Sequence, residues 1–413
     1  MDLYETVSLA FRFGLLLAAD AAAVHEQVIY NFTSASGGIY PITGLISDAA
    51  GNLYGATEFS GGYAPETIFE LVRNGSSYTY VVLYTFTGYA DGEGASGSLA
   101  RDAHGNLYGT AGTGGDNYKG NVFELSPNQG GGWTLTVLYS FTDGADGGYP
   151  YGGVILDKSG SLYGTAYEGG LLSDCSGAGC GVVFELSRGS GGIWTETVLH
   201  SFTETDGALP SSGLVFGTNG ILYGSTSAGG TSTSCGGVPA NGCGTVFRLA
   251  PSTGGWTETT LHSFYLTNTD GAYPEGLTYV DGKLFGVTSL GGTQNAGTVF
   301  ELTLTKSGAT ESVIHTFGSD ATQPVSAVVS DKNGNLYGSA PKGGNSACYQ
   351  GCGAIFELKP NGGNWTETIL HQFTGGTDGA SPYGTPILSA TGLLGTATGG
   401  GANGYGVVFE LTR

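Results

Sequence analysis

The sequence is poor in basic side chains, and this limits the partners that it can have. Only 13 of its 413 residues are Lys or Arg, against 34 Asp and Glu, and the formal net charge is −21. Nucleic-acid binding needs a basic surface, so this balance excludes a nucleic-acid partner and disfavours anionic membrane surfaces. It permits a cation or a basic partner, and solubility alone also accounts for it.

Long apolar runs are nearly absent as well. The stretch "FGLLLAADAAAV" at residues 13–24 resembles the apolar core and cleavage region of a secretory signal, but Asp2, Glu5 and Asp20 do not fit that pattern. Two interpretations of residues 1–25 therefore stay open, a signal-peptide remnant and a retained N-terminal arm. No other segment is long and apolar enough to span a bilayer, so we expect no transmembrane segment.

Cysteine is scarce, and its placement is informative. The six residues form three local pairs in Gly-rich segments: Cys175 with Cys180, Cys235 with Cys243, and Cys348 with Cys352. No His lies beside a pair to complete a four-ligand zinc site. We predict three small disulfide-closed loops and hence an oxidising compartment.

Glycine and aromatic residues are abundant instead. The chain has 78 Gly, and Phe, Trp and Tyr make up 11% of it. Disordered chains are poor in aromatics, so the Gly residues indicate many tight turns between short strands. An all-β chain follows from this composition.

A repeat of four strands runs through the chain. A Leu-aromatic-Gly signal recurs six times from "NLYG" ending at Gly55, with a weaker seventh copy, "LLG", ending at Gly395. "VFEL"-like and "VLHSF"-like strands each recur seven times. Four strands per repeat of about fifty residues are typical of a β-propeller blade. We predict a seven-bladed propeller of antiparallel blades over residues 26–413.

The phase of the repeat predicts how the ring closes. The propeller opens on a fourth strand, "EQVIYNF" at Glu26 to Phe32, and ends on a third strand, "GVVFELTR". The N-terminal strand can therefore complete the last blade and cover its edge.

At this point the repeats resemble a known family. "LYGTT"-like strands, Gly-Gly, "GTVFEL", "GGWTETVLHSF" and "DGA-P" are similar to the GloVer tandem repeat of secreted bacterial "choice-of-anchor" proteins. The resemblance implies a surface or extracellular location, and it implies no particular activity. The Gly-Gly pair and the Trp of the fourth strand are also similar to kelch repeats; these Trp residues are Trp133, Trp194, Trp256 and Trp365.

One face of such a propeller should carry the function. Naming the strands of a blade a to d, the b–c and d–a loops share a face and carry most of the length variation and all six Cys. The d–a loops also collect carboxylates and tyrosines. The candidate binding residues are Asp91, Asp146, Asp206, Asp270, Asp320, Asp378, Tyr149, Tyr151, Tyr273 and Tyr383. Asp-Gly also simply makes turns; a cation such as Ca²⁺ and a polar ligand are the functional alternatives.

Catalytic signals are weak. Four His share one repeat position on different blades, so we interpret them as packing residues. The Glu that recurs in strand c is interpreted as structural. No catalytic residue, metal site or cofactor is predicted. Unrepeated acids such as Glu93, Glu168 and Glu275 remain for a polysaccharide-active enzyme. We expect no enzyme but a secreted or cell-surface binding or adhesion protein, for a glycan or protein ligand. The alternative is a self-associating subunit of an extracellular filament or coat.

Overall fold

Seven antiparallel sheets, arranged as the blades of a propeller, make up the fold. The computed structural model describes residues 24–33, 37–58, 66–236 and 240–413. Within these ranges the only helical segments are two short 3₁₀ turns, Cys175–Gly177 and Thr218–Gly220. The predicted all-β seven-bladed propeller is thus confirmed, whereas the signal or arm predicted at residues 1–25 lies almost wholly outside the described residues and stays a prediction.

Each blade has four strands, a to d, from the axis outwards. Blade 1 comprises Ile46–Ser47, Leu53–Ala56, Thr67–Asn74 and Ser77–Thr85. Blade 2 comprises Ala100–Arg101, Leu107–Thr113, Asn121–Pro127 and Trp133–Ser140, with an extra short strand, Glu93–Ala95, before strand a. Blade 3 comprises Val154–Leu156, Leu162–Ala166, Val182–Arg188 and Trp194–Ser201.

The remaining blades follow the same order. Blade 4 comprises Val215–Phe216, Leu222–Thr226, Thr245–Ser252 and Gly255–Ser263. Blade 5 comprises Gly271–Val280, Lys283–Gly291, Thr298–Leu304 and Ala309–Thr316. Blade 6 comprises Val329–Ser330, Leu336–Ala340, Ala354–Asn361 and Asn364–Gln372. Blade 7 comprises Ile387–Leu388, Gly392–Ala397, Val407–Thr412 and, as strand d, His25–Asn31.

The two ends of the chain close the ring. The N-terminal strand pairs antiparallel with Val407–Thr412, and Val28 lies opposite Phe409. The carboxamide of Asn403 also donates a hydrogen bond of 3.0 Å to the carbonyl of Phe32. The predicted closure is therefore confirmed, and blade 7 exposes no c-strand edge.

Each part of the Leu-Tyr-Gly motif has a distinct packing role. In blade 4, Leu222 is fully buried, and a Cβ added at Gly224 would lie 2.4 Å from Cζ of Phe247. Gly is needed because the Phe ring of strand c lies directly over strand b. In blade 6 the motif's hydroxyl, on Tyr337, donates a hydrogen bond of 2.9 Å to Glu357, so the recurring strand-c Glu is structural there.

Phenylalanine pairs join each blade to the next. The Phe that follows strand d meets the strand-c Phe of the next blade edge to face, with ring centroids 5.0–5.5 Å apart. Such edge-to-face contacts stabilise by more than the area that they bury. The pairs are Phe32/Phe69, Phe86/Phe123, Phe141/Phe184, Phe202/Phe247, Phe264/Phe300, Phe317/Phe356 and Phe373/Phe409.

A Gly–Pro contact reinforces six of the seven junctions. The Gly before strand c has a positive φ, and a Cβ there would collide with the Pro of the next d–a loop, as at Gly181 and Pro210 (2.6 Å). The residue before each Pro also has a positive φ, 54–58°. The junction pairs are Gly120/Pro150, Gly181/Pro210, Gly244/Pro274, Gly297/Pro324, Gly353/Pro382 and Gly406/Pro41.

The three predicted disulfides are present, all in b–c loops. Each also supports a junction, because its second Cys accepts a backbone hydrogen bond from the next d–a loop, as Cys180 does from Leu209 at 2.9 Å. Disulfides of this kind indicate an oxidising environment. No helix in the described ranges is long and apolar enough to cross a membrane.

Candidate functional site

A cavity of about 490 Å³ lies where the innermost strands of all seven blades converge. Its walls are strands a and the ends of the d–a loops, so it is the axial channel of the propeller. Six d–a loops carry the Pro that contacts the Gly of the preceding blade, and the loop before blade 2 has Ala95 at that position. The residue directly after this Pro or Ala lines the channel in every blade. These seven lining residues are Ile42, Ser96, Tyr151, Ser211, Glu275, Val325 and Tyr383.

Tyr151 lines the channel, and two further tyrosines contact its ring. The rings of Tyr149 and Tyr151 are nearly parallel, with centroids 6.3 Å apart, and Tyr151 meets Tyr167 edge to face at 5.5 Å. Lys119 fixes Tyr149, since its Nζ lies 2.7 Å from the phenol oxygen and 2.6 Å from Asp143. We call Tyr149, Tyr151 and Tyr167 the tyrosine wall.

Glu275 is the only carboxyl among the residues that line the cavity. Burial in the channel raises the pKa of this carboxyl to about 8, so it is largely protonated at neutral pH. Burial, followed by the charge of Glu168, raises the pKa of Tyr167. The mouth therefore combines aromatic faces, serine hydroxyls and a neutral carboxyl that can donate a hydrogen bond.

Two of the predicted site residues, Tyr151 and Tyr383, line this channel, and Tyr149 stands beside Tyr151. Tyr273 instead precedes the junction Pro of blade 5 and donates its backbone N–H to Cys243 at 2.8 Å. Tyr167 was missed by the sequence analysis. Its signal was readable, because the other repeats carry Glu, Gly, Ser, Pro or Thr where this one has an aromatic residue.

The predicted aspartates of the d–a loops do not line the channel. Asp206 accepts hydrogen bonds from the N–H of Thr203 (2.7 Å) and pairs with Nε2 of His200 (3.1 Å). The same dual contact, to a loop N–H and to the His or Tyr of strand d, occurs at Asp91, Asp146, Asp270 and Asp378. Asp320, in the shortest of these loops, accepts a hydrogen bond at its backbone carbonyl from Gln372 (3.5 Å). Binding of a ligand by these carboxylates stays a prediction.

Two blade junctions bring together potential metal ligands. His200, Asp206 and Glu258 offer atoms within 4.8 Å of one another, as do His262, Asp270 and Glu311. At the preceding junction, between blades 2 and 3, Tyr139 takes the place of His and bonds Asp146 at 3.0 Å, while Asp146 also adds to the rise in the pKa of Glu196. The cluster thus recurs where a tyrosine replaces His, so the repeat of His, Asp and Glu at two junctions does not by itself indicate a metal site.

Solved structures with the same fold include several enzymes. A putative 6-phosphogluconolactonase from Bacteroides fragilis is 14% identical with a TM-score of 0.52, and the match covers 90% of this chain and 98% of that one. An ancestral GH74 enzyme is 12% identical with a TM-score of 0.58, and the match covers 91% of this chain and 48% of that one. A fungal alcohol oxidase with copper is 15% identical with a TM-score of 0.55, and the match covers 91% and 75%.

These matches correct the prediction that the chain is not an enzyme. The expectation took the absence of a recognised catalytic motif as grounds for excluding catalysis, whereas enzymes share this propeller architecture. That exclusion was therefore wrong. At such low identity the likeness shows the fold alone, and it assigns no reaction to this chain.

Sequence comparison gives one family. The Gloeobacter/Verrucomicrobia repeat matches residues 8–239 and 232–413, which together span nearly the whole chain. No curated protein matches.

Proposed function

The chain belongs to the Gloeobacter/Verrucomicrobia repeat family, and from its channel mouth we propose that it is an extracellular or cell-surface protein that binds a glycan. The observation that carries the proposal is that Tyr151, supported by the other rings of the tyrosine wall, and Glu275 line the same cavity of about 490 Å³. Binding pockets for small ligands have about 300–1,000 Å³. A cavity of this size accommodates one or two sugar units.

The chemistry of the mouth suits a neutral polyhydroxyl ligand. The C–H face of a sugar ring is apolar and packs on the electron-rich face of an aromatic ring. The protonated Glu275 both donates and accepts hydrogen bonds, as sugar hydroxyl groups do. Ser96 and Ser211 line the same opening and add hydroxyl groups of the same kind.

A glycan array, read with and without Ca²⁺, tests the proposal. Tyr151→Ala and Glu275→Ala should each weaken binding at least about tenfold, since each removes a central contact. Glu124→Ala is the control, because this strand-c carboxylate is hydrogen-bonded to Ser126 (2.9 Å) outside the cavity. The absence of any glycan ligand, or full binding by both mouth variants, would refute the site.

Hydrolysis of the bound glycan is the second candidate. A protonated carboxyl is the proton donor that glycosidases use, and a second carboxylate must lie within about 5–10 Å of it. Glu168, which directly follows Tyr167 in the chain, is the second acid to test. Release of reducing ends by the wild type, lost in Glu275→Gln and in Glu168→Gln, would establish it; binding without release would exclude it for the glycan tested.

A further inference from the structure

Exposed large apolar and aromatic side chains concentrate on the face where the channel mouth opens. Ten are exposed in the described ranges, and three of them, Val81, Ile193 and Leu388, lie in strands or on the opposite face. Single exposed side chains need no explanation, but a bias to one face does. The other seven belong to b–c or d–a loops: Tyr89, Tyr118, Tyr151, Leu171, Leu172, Tyr265 and Tyr349.

Four of these seven are tyrosines outside the mouth: Tyr89, Tyr118, Tyr265 and Tyr349, which we call the rim tyrosines. Tyr349 is the most exposed, at 92%, and it lies inside the loop that the Cys348–Cys352 disulfide closes. Hydrogen bonds from Gly351 to Cys348 (3.1 Å) and from Cys352 to Asn345 (3.0 Å) fix the backbone on either side. A fixed loop therefore holds an aromatic ring in water.

The predicted aspartates fix two further rim tyrosines. Asp270 accepts a hydrogen bond of 2.9 Å from the N–H of Tyr265, whose hydroxyl also bonds Thr231 at 2.7 Å. Asp91 closes the loop of Tyr89 by accepting from the N–H of Thr87 at 2.8 Å. Binding loses less entropy when contact side chains are already ordered, so these loops are suited to a ligand that touches them.

We propose that the ligand of this face is an uncharged polysaccharide, with one unit in the channel mouth and others stacked on the rim tyrosines. The inference rests on the proposed function. Tyrosine offers an apolar ring and a polar hydroxyl at a low cost in side-chain entropy, which suits sugar rings. The formal net charge of −21 repels an anionic polymer, which favours an uncharged polysaccharide over one that contains uronic acids.

Titration calorimetry with polymers and short fragments tests the proposal. The probes are mixed-linkage β-glucan, xylan and galactomannan, each with its tetrasaccharide, and alginate as an anionic polymer. Tyr349→Ala should weaken polymer binding about tenfold and leave the affinity for the tetrasaccharide unchanged. Ile193→Ala is the matched control, because this 73% exposed side chain lies in a c–d turn on the opposite face.

The outcomes separate the rim from the mouth. Equal polymer affinity of wild type and Tyr349→Ala, with Tyr151→Ala still defective, would overturn the role of the rim and leave the mouth intact. Tighter binding of alginate than of the uncharged polymers would overturn the charge argument. If no saccharide of either length binds, the proposed function fails together with the inference.

Discussion

The carboxylate of Glu66 accepts a hydrogen bond from the backbone N–H of Ala95, across the junction of blades 1 and 2. It also accepts one from Gly94 at 2.6 Å. The other six junctions have a Gly before strand c and a Pro in the next d–a loop. At this junction Glu66 stands at the Gly position and Ala95 stands at the Pro position. Ala has the N–H that Pro lacks, and Glu66 supplies the acceptor that this buried donor needs.

Replacing Glu66 by Gly should destabilise the propeller by about 1–3 kcal/mol, because the N–H of Ala95 is then buried without a partner. Adding Ala95→Pro should recover part of this loss by restoring the contact of the other junctions. Urea unfolding of the two single variants and the double variant measures the coupling. A double variant no more stable than Glu66→Gly would contradict the view that Glu66 and Ala95 together replace the Gly–Pro contact.

The stability of the protein should fall as the pH rises from about 4.5 to 8. Burial raises the pKa to about 7 at Glu26, Glu66, Glu196 and Glu311, and to about 8 at Glu275. An unfolded Glu titrates near pH ~4.3, so over this range the folded state binds more protons than the unfolded state. His371, whose pKa burial lowers, opposes the trend as a single group.

Below about pH 4 the trend should reverse. Burial acts to raise the pKa of Asp48, but its hydrogen bonds from Asn52, Ala50 and Tyr54 together lower it. The pKa of Asp331 is lowered in the same way by the bonds that it accepts. Melting temperatures measured from pH 3 to 9 at constant ionic strength should therefore peak at about pH 4–5. Glu196→Gln should flatten the alkaline side alone; a melting temperature that rises steadily from pH 5 to 8 would be inconsistent with this account.

Gly224→Ala should destabilise the propeller by about 1–3 kcal/mol. The new methyl group would lie 2.4 Å from Cζ of Phe247, which is itself fully buried between blades. Gly254→Ala is the control, since no heavy atom lies within 4 Å of that position. Thermal unfolding compares the two, and equal melting temperatures would show that Phe247 has room to move.

Deleting residues 1–32 should cause aggregation, because it removes strand d of blade 7 and leaves Val407–Thr412 as an open edge. Deleting residues 1–23 keeps the strand and should leave the melting temperature unchanged. Light scattering and size-exclusion chromatography distinguish the two. A monomeric 1–32 deletion with the wild-type melting temperature would disprove the closure.

Repeats made the fold readable from the sequence, and departures from the repeat marked much of the site. Leu-Tyr-Gly and "VFEL" gave seven blades because each residue has the same neighbours in every copy. The role of the Asp in the d–a loops was harder to predict. Its side chain bonds the His or Tyr of strand d, and the sequence does not show that these two side chains point towards each other. Glu66 and Ala95 escaped notice because each departs from the repeat singly, and only the structure shows that they touch.

The closure of blade 7 also sets the order of events when the protein is made. Its strand d, His25–Asn31, is synthesised long before its partner, Val407–Thr412, because the other six blades lie between them in sequence. The ring cannot close until Val407–Thr412 has been made, and a contact so distant in sequence forms slowly. Until then strand d of blade 7 has no native partner, so the nascent chain carries an unpaired β-strand while the six intervening blades are made.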